Sequence, residues 1–203
     1  NLKYSLLKNL LQKENAKLVM VFCNTRRNVD FVANNLKFNG LDVLPIHGGF
    51  SQDKRNRIME KFHSQNVKVL ICTDVAARGL DIKNVSHIIN YDSSKTSKEY
   101  IHRIGRTARA GKEGKVISLI SEPDHDNFRN VLGDRSIVVQ QLQLPEFQRV
   151  PFAASIREYH SRPRGRPMGH YSGSTRSYGH RESGQERKPY HPKDKESHSE
   201  DGS

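Results

Sequence analysis

The sequence has no tryptophan and only two cysteines and three methionines in 203 residues. Two cysteines cannot make a disulfide framework, nor a metal site alone. Cys23 and Cys72 each end an apolar, strand-like run, so both are expected to be buried small hydrophobes in a reducing compartment. The longest uninterrupted apolar run, Leu18–Cys23, is six residues, far below the roughly 20 that a membrane-spanning helix needs. No membrane partner is expected, and no signal-peptide pattern opens at Asn1. Acidic side chains are scarce beside basic ones, 22 against 34, for a net charge of +12. That balance excludes an acidic halophile surface or a neutral packing module and suits a polyanion partner. Hydrophobic residues are 34% of the chain, so part of it is expected to stay outside any core. No Gly-x-Ser-x-Gly elbow and no paired catalytic carboxylates stand out. The histidines show no shared metal-ligand spacing, and no metal ligands are assigned.

Composition changes near Val150. Residues 1–150 hold 24 Lys plus Arg against 15 Asp plus Glu; residues 151–203 hold 10 against 7. From Ser161 onward the sizeable apolar side chains are Met168, Tyr171, Tyr178 and Tyr190. Such a segment buries too little surface to offset its ordering entropy. Residues 146–203 are therefore expected to be a disordered basic tail. Its Arg162–Pro167 stretch and its tyrosines either track a nucleic-acid backbone and stack on bases or merely solubilise the chain.

Residues 1–145 are expected to form one domain of alternating helices and strands. Leu2, Leu6, Leu7, Leu10 and Leu11 make a helical stripe, and Leu18–Cys23 reads as a strand buried on both faces. Val29, Val32, Ala33 and Leu36 mark a helix that Gly40 can end. Val43–Ile46 is a short strand, and Ser51 can cap a helix carrying Ile58, Met59 and Phe62. Strands follow at 67–72, 85–91 and 115–120, with a Ser97-capped helix through Arg106 between the last two. A helix over 124–132 and a strand at 137–142 complete the domain. This alternation predicts an open α/β sheet, mostly parallel, with helices on both faces. Ligands of such sheets gather at the carboxyl ends of the strands.

The polar residues obey that geometry. Asn24-Thr25-Arg26-Arg27 follows the first strand, His47-Gly48-Gly49 the second, Thr73-Asp74 the third and Tyr91-Asp92-Ser93 the fourth. Hydroxyls, glycine amides and arginines are groups that bind phosphate oxygens. Arg103, Arg106 and Arg109 recur every three residues. On a helix they drift slowly around one face, where they repel one another unless an anion sits among them. A nucleotide's terminal phosphate is such an anion; a solvated basic stripe is the plainer alternative. Taken singly, Gly48-Gly49 reads as a tight turn, Asp81 as a cap, Asp74 as a sheet-end cap holding Arg78, and His102 as a core histidine.

Four strings occur in order: Phe22-Cys23-Asn24-Thr25-Arg26, Gln52-Asp53-Lys54-Arg55, Cys72-Thr73-Asp74-Val75-Ala76-Ala77-Arg78-Gly79-Leu80-Asp81-Ile82, and Tyr100-Ile101-His102-Arg103-Ile104-Gly105-Arg106-Thr107-Ala108-Arg109. Together they resemble the second RecA-like domain of DEAD-box ATP-dependent RNA helicases. The resemblance covers residues 1–145 and not the tail. It implies a RecA-like fold, RNA bound through its sugar–phosphate backbone with slight sequence preference, and ATP with Mg²⁺ as cofactor. By the same resemblance Thr25, Gly48, Gly49, Gln52, Arg55 and Thr73 face RNA, with Arg55 on a phosphate. Gly79 and Asp81 face the ribose of ATP. His102 and Arg103 couple to the nucleotide and the partner domain, and Arg106 and Arg109 reach the terminal phosphate as arginine fingers. Ala108 departs from the glycine common in the family.

The phosphate-cradling pattern Gly-x-x-x-x-Gly-Lys-Ser/Thr is absent from the sequence; Gly111-Lys112 is followed by Glu113. An Asp-Glu-Ala-Asp string is absent too. The chain is thus expected to be the carboxyl-terminal half of a split site, inactive alone. Its partner is expected to be an amino-terminal RecA-like lobe, upstream of Asn1, that holds the metal. The competing readings are a non-catalytic RNA-binding or annealing module and a DNA-directed helicase lobe. A cytoplasmic location is expected from the cysteines, with a nuclear one as the alternative.

Overall fold

The computed structural model describes residues 2–14, 16–80, 82, 85–107 and 114–152. Five short runs, mostly of β-branched and large apolar residues, form its strands: β1 (Val19–Phe22), β2 (Val43–Ile46), β3 (Val69–Cys72), β4 (His87–Asn90) and β5 (Lys115–Ser118). All neighbours pair in parallel, in the order β2-β3-β1-β4-β5. The side-chain period of two sends Met20, Phe22, Leu44, Ile46, Leu70, Cys72 and Ile88 to one face. Val19, Val21, Cys23, Val43, Ile71 and Ile89 go to the other.

Helices cover both faces, as the continuous apolar strands require. Helix α1 (Leu2–Lys13) brings Tyr4 and Leu7, and α2 (Arg26–Phe38) brings Val29, Val32, Ala33 and Leu36, to the second face. Helix α3 (Gln52–His63) brings Ile58, Met59 and Phe62 to the first. Each large side chain buried this way stabilises the fold by about 1.5–3 kcal/mol. Gly40 follows α2 at φ +80°, the left-handed conformation that glycine adopts without a steric penalty.

A hydroxyl caps each helix that follows strands β1 to β4. Thr25 accepts from Asn28 N–H at α2, and Ser51 from Lys54 N–H at α3. Thr73 accepts from Ala76 N–H at α4 (Asp74–Ala77), and Thr96 from Glu99 N–H at α5 (Ser97–Ile104). Because the strands are parallel, these junctions share one crest of the sheet.

Three expectations are corrected. Helix α5 is capped by Thr96 rather than Ser97 and stops at Ile104 rather than Arg106. Gly105 closes it, its N–H on the Ile101 and Arg103 carbonyls. A Cβ on Gly105 would stand 3.2 Å from the Ile101 oxygen. The 137–142 strand does not form. After a 3₁₀ turn (Glu122–Asp124) and α6 (His125–Leu132) the chain joins no sheet, and Val138 is 92% exposed. It returns instead across α1, so the boundary expected after residue 145 falls within packed chain. Asn9 Nδ2 donates to the Gln148 carbonyl at 3.0 Å, and Val150 N–H to Ser5 Oγ at 3.1 Å. The Phe152 ring lies 5.1 Å from that of Tyr4 and 5.8 Å from that of Phe31. The remainder of the expected tail, 153–203, lies outside the described residues. Among the described residues, no helix is long and apolar enough to cross a membrane.

Candidate functional site

Arg103 sits at the centre of the crest and is 1% exposed. Its Nε and Nη2 grip both oxygens of Asp74, at 2.8 and 2.7 Å. Nη2 also donates to Asn24 Oδ1 at 2.8 Å, and Nη1 to the Asp92 carbonyl at 2.7 Å and Asn90 Oδ1 at 3.3 Å. A guanidinium has five N–H donors, and all five are engaged. One side chain of α5 thereby ties the ends of β1, β3 and β4, with the Phe22 ring 5.2 Å from its charge. This corrects two readings. Arg103 has no donor left for a nucleotide, and Asp74 holds Arg103 rather than Arg78.

Arg106 lies past the end of α5, and so the arginines do not share one helical face. Its side chain is partly exposed. Among the described residues it donates one long bond, 3.4 Å to the Leu80 carbonyl. That contact places it at the loop carrying Gly79, whose φ of +75° is left-handed while nothing lies within 4 Å of where a Cβ would stand. Glycine is therefore required at 79 by conformation, not by space. His102 is exposed, contrary to a core role. Asp81, Arg109 and Ala108 lie outside the described residues.

The remaining candidates follow β1, β3 and β2 along the same crest. Thr25 and Thr73 accept their capping bonds through oxygen and keep an O–H to donate. Gly48 and Gly49 follow β2 on the surface, with the Arg26 guanidinium 3.2 Å from where a Gly48 Cβ would stand. Gln52 opens α3 and accepts from Arg55 Nη1 at 3.3 Å. Arg55 Nη2 reaches the Ala76 carbonyl of α4, also at 3.3 Å. Its Nε is buried with no hydrogen-bond partner. Burial pushes both cysteine thiols well above their ordinary range. They point to opposite faces of the sheet, and neither is a nucleophile.

Arginines, hydroxyls and glycine amides, all groups able to bind phosphate oxygens, share a single crest. Residues 2–111 match the family "Helicase conserved C-terminal domain". The chain belongs to that family, in its DEAD-box branch. An ATP-dependent RNA helicase of Listeria monocytogenes, CshA, is 39% identical over 155 residues, 76% of this chain and 30% of that one. The Escherichia coli DEAD-box protein SrmB, solved bound to regulator of ribonuclease activity A, is 41% identical with a TM-score of 0.63. The match covers 67% of this chain and 79% of that one. The DEAD-box helicase domain 2 of Mss116p, solved bound to an RNA duplex, is 31% identical with a TM-score of 0.58. That match covers 69% of this chain and 56% of that one. The chain spans 16% to 31% of the length of eight of the curated relatives it matches.

For this DEAD-box C-terminal domain, the parallel RecA-like sheet expected from the sequence is the one observed. Sequence reasoning missed Arg26 as a wall of the glycine turn, although the string after β1 displayed it. It also missed the Arg103–Asp74 pairing, which joins residues 29 positions apart and has no local signature.

Proposed function

We propose that this domain is the carboxyl-terminal lobe of an RNA-stimulated ATPase that unwinds short RNA duplexes. Thr25, Gly48, Gly49, Gln52, Arg55 and Thr73 bind the sugar–phosphate backbone. Gly79 and Asp81 face the ribose of ATP, and Arg106 with Arg109 meets its terminal phosphate. His102 couples the nucleotide to a partner lobe. That lobe supplies the phosphate-cradling loop and holds Mg²⁺. ATP bound there draws Arg106 inward and joins two halves of an RNA groove. A continuous duplex does not fit the joined groove, and hydrolysis reopens it.

The observation that carries this reading is the unequal engagement of the crest arginines. Arg103 uses every donor inside the protein, whereas Arg55 leaves a buried Nε unpartnered and holds its two bonds at 3.3 Å. Charge-assisted bonds are normally shorter, and each terminal nitrogen of the half-buried Arg55 keeps a second N–H that a phosphate oxygen can take. The test is fluorescence anisotropy of the full chain with a labelled uridine decamer across a salt series. Arg55→Ala is expected to weaken binding about tenfold and to flatten the salt slope by about one ion. Unchanged affinity in that variant removes Arg55 from the RNA site. Adding an amino-terminal RecA-like lobe in trans is expected to yield RNA-stimulated ATP hydrolysis, which a purely annealing module does not show.

A further inference from the structure

Gly48 and Gly49 lie between two side chains from different elements. Arg26 of α2 covers one side, its Nη2 3.2 Å from where a Gly48 Cβ would stand and its Nη1 3.8 Å from the equivalent point at Gly49. On the other side lies the His47 ring, with Cε1 and Nδ1 3.0 and 3.1 Å from the Gly49 position. Neither glycine has a left-handed φ, so a larger residue at 49 would press on the His47 ring, and one at 48 would displace the end of Arg26.

His47 is 6% exposed, and its two ring nitrogens have different partners. Nδ1 accepts the Gly49 N–H at 3.1 Å and so carries no proton. The proton is therefore on Nε2, which donates to Asp30 Oδ1 at 3.1 Å. Asp30 stands one helical turn from Arg26 on α2, so one face of that helix grips the turn from both sides. Phe50 packs on the His47 ring at 4.1 Å. The Phe50 N–H bonds the His47 carbonyl at 3.1 Å. With the amides of Gly49 and Phe50 both turned inward, that of Gly48 makes no hydrogen bond among the described residues.

We propose that His47, oriented by Asp30, is a positioning residue that holds the Gly48–Gly49 turn in its RNA-binding shape and leaves the Gly48 amide as the donor for a phosphate oxygen. The proposal rests on the RNA reading of the crest. A Gly-Gly turn without such a tether loses more backbone freedom on binding, and the tether removes that loss beforehand. The Nδ1 bond holds the turn; the Asp30 bond selects the tautomer that can make it.

Three variants of the full chain test this. His47→Phe keeps the ring's volume and loses both bonds. His47→Asn places a carbonyl oxygen near the former Nδ1 and can still accept the Gly49 N–H. Arg55→Ala is the control for the RNA site itself. Anisotropy with the labelled uridine decamer is expected to show affinity about fivefold to tenfold weaker in His47→Phe, the scale of one positioned hydrogen bond. His47→Asn is expected to lie within about twofold of wild type, because the acceptor is kept. Amide hydrogen exchange, read without RNA, is expected to show Gly49 protected in wild type and His47→Asn and unprotected in His47→Phe. If Arg55→Ala weakens binding while His47→Phe does not, the positioning role is overturned and the RNA reading stands. If the wild-type chain itself does not bind the decamer, the RNA reading falls and the proposal falls with it. Equal loss in His47→Phe and His47→Asn also overturns it, because the acceptor would then not matter.

Discussion

Three arginines spaced every three residues look alike in the sequence, and the structure gives the two it describes opposite roles. Arg103 is still on α5 and faces inward; Arg106 follows Gly105 and faces the Gly79 loop. Nothing local separates them except the glycine between, which marks the helix end. The inward arginine makes a sharp prediction. Arg103→Lys keeps a positive charge but cannot grip both Asp74 oxygens or reach Asn24, Asn90 and Asp92 at once. It leaves several buried acceptors unsatisfied and is expected to destabilise the domain by about 3 kcal/mol. Urea unfolding of wild type and variant measures this; a difference below about 1 kcal/mol would show that the fork geometry contributes little. The buried status of Arg103 was not legible beforehand, because its partners come from three strand ends distant in sequence.

At the scale of elements, the strands were legible because short, uninterrupted apolar runs flanked by polar residues leave little else to form. Their ends moved inward by one or two residues, as at β1 and β3. The run at 137–142 misled for a physical reason. Val138 and Val139 are adjacent rather than alternating, and Gln140, Gln141 and Gln143 break the apolar pattern beyond them, so neither a two-sided nor a one-sided strand is satisfied. The chain instead docks on α1 through residues 148–152. The elements are also joined by one acidic residue that the sequence did not single out. Asp124 accepts from Lys3 Nζ of α1 at 2.6 Å, from Ser93 N–H after β4 at 3.1 Å, and from the N–H and Oγ of Ser121. Burial pushes its pKa up, but these bonds outweigh it and hold the carboxyl below its ordinary 3.8. A depressed folded-state pKa contributes stability that is complete above the unfolded value, near pH 4, and is lost as pH falls through the folded value. Asp124→Asn is therefore expected to be less stable than wild type by about 1–3 kcal/mol at pH 7. The gap should close as the pH drops below about 4. Urea midpoints of both proteins from pH 7 to pH 2 give the answer, and a gap independent of pH would rule out the linkage.

At the scale of the molecule, the proposed function assigns two anions to one crest. In that proposal Gly48, Gly49 and Arg55 take a nucleic-acid backbone, and Arg106, beside the Gly79 loop, takes a nucleotide phosphate. Arg103 bonds the ends of β1, β3 and β4 and so fixes the middle of the crest. On that assignment the two arginines fail in different ways. In an assembly with a nucleotide-binding lobe, Arg106→Ala removes charge stabilisation that matters when the terminal phosphate is transferred, and kcat is expected to fall by about 10³ or more. The RNA concentration for half-maximal stimulation should change little. Arg55→Ala should do the reverse, raising that concentration while leaving kcat at saturating RNA near its original value, because its contact is made equally before and during the reaction. Steady-state ATP hydrolysis titrated with RNA separates the two. If both variants lowered kcat alone, the crest would be one nucleotide site without an RNA end. If both altered only the RNA requirement, Arg106 would lose its role at the phosphate.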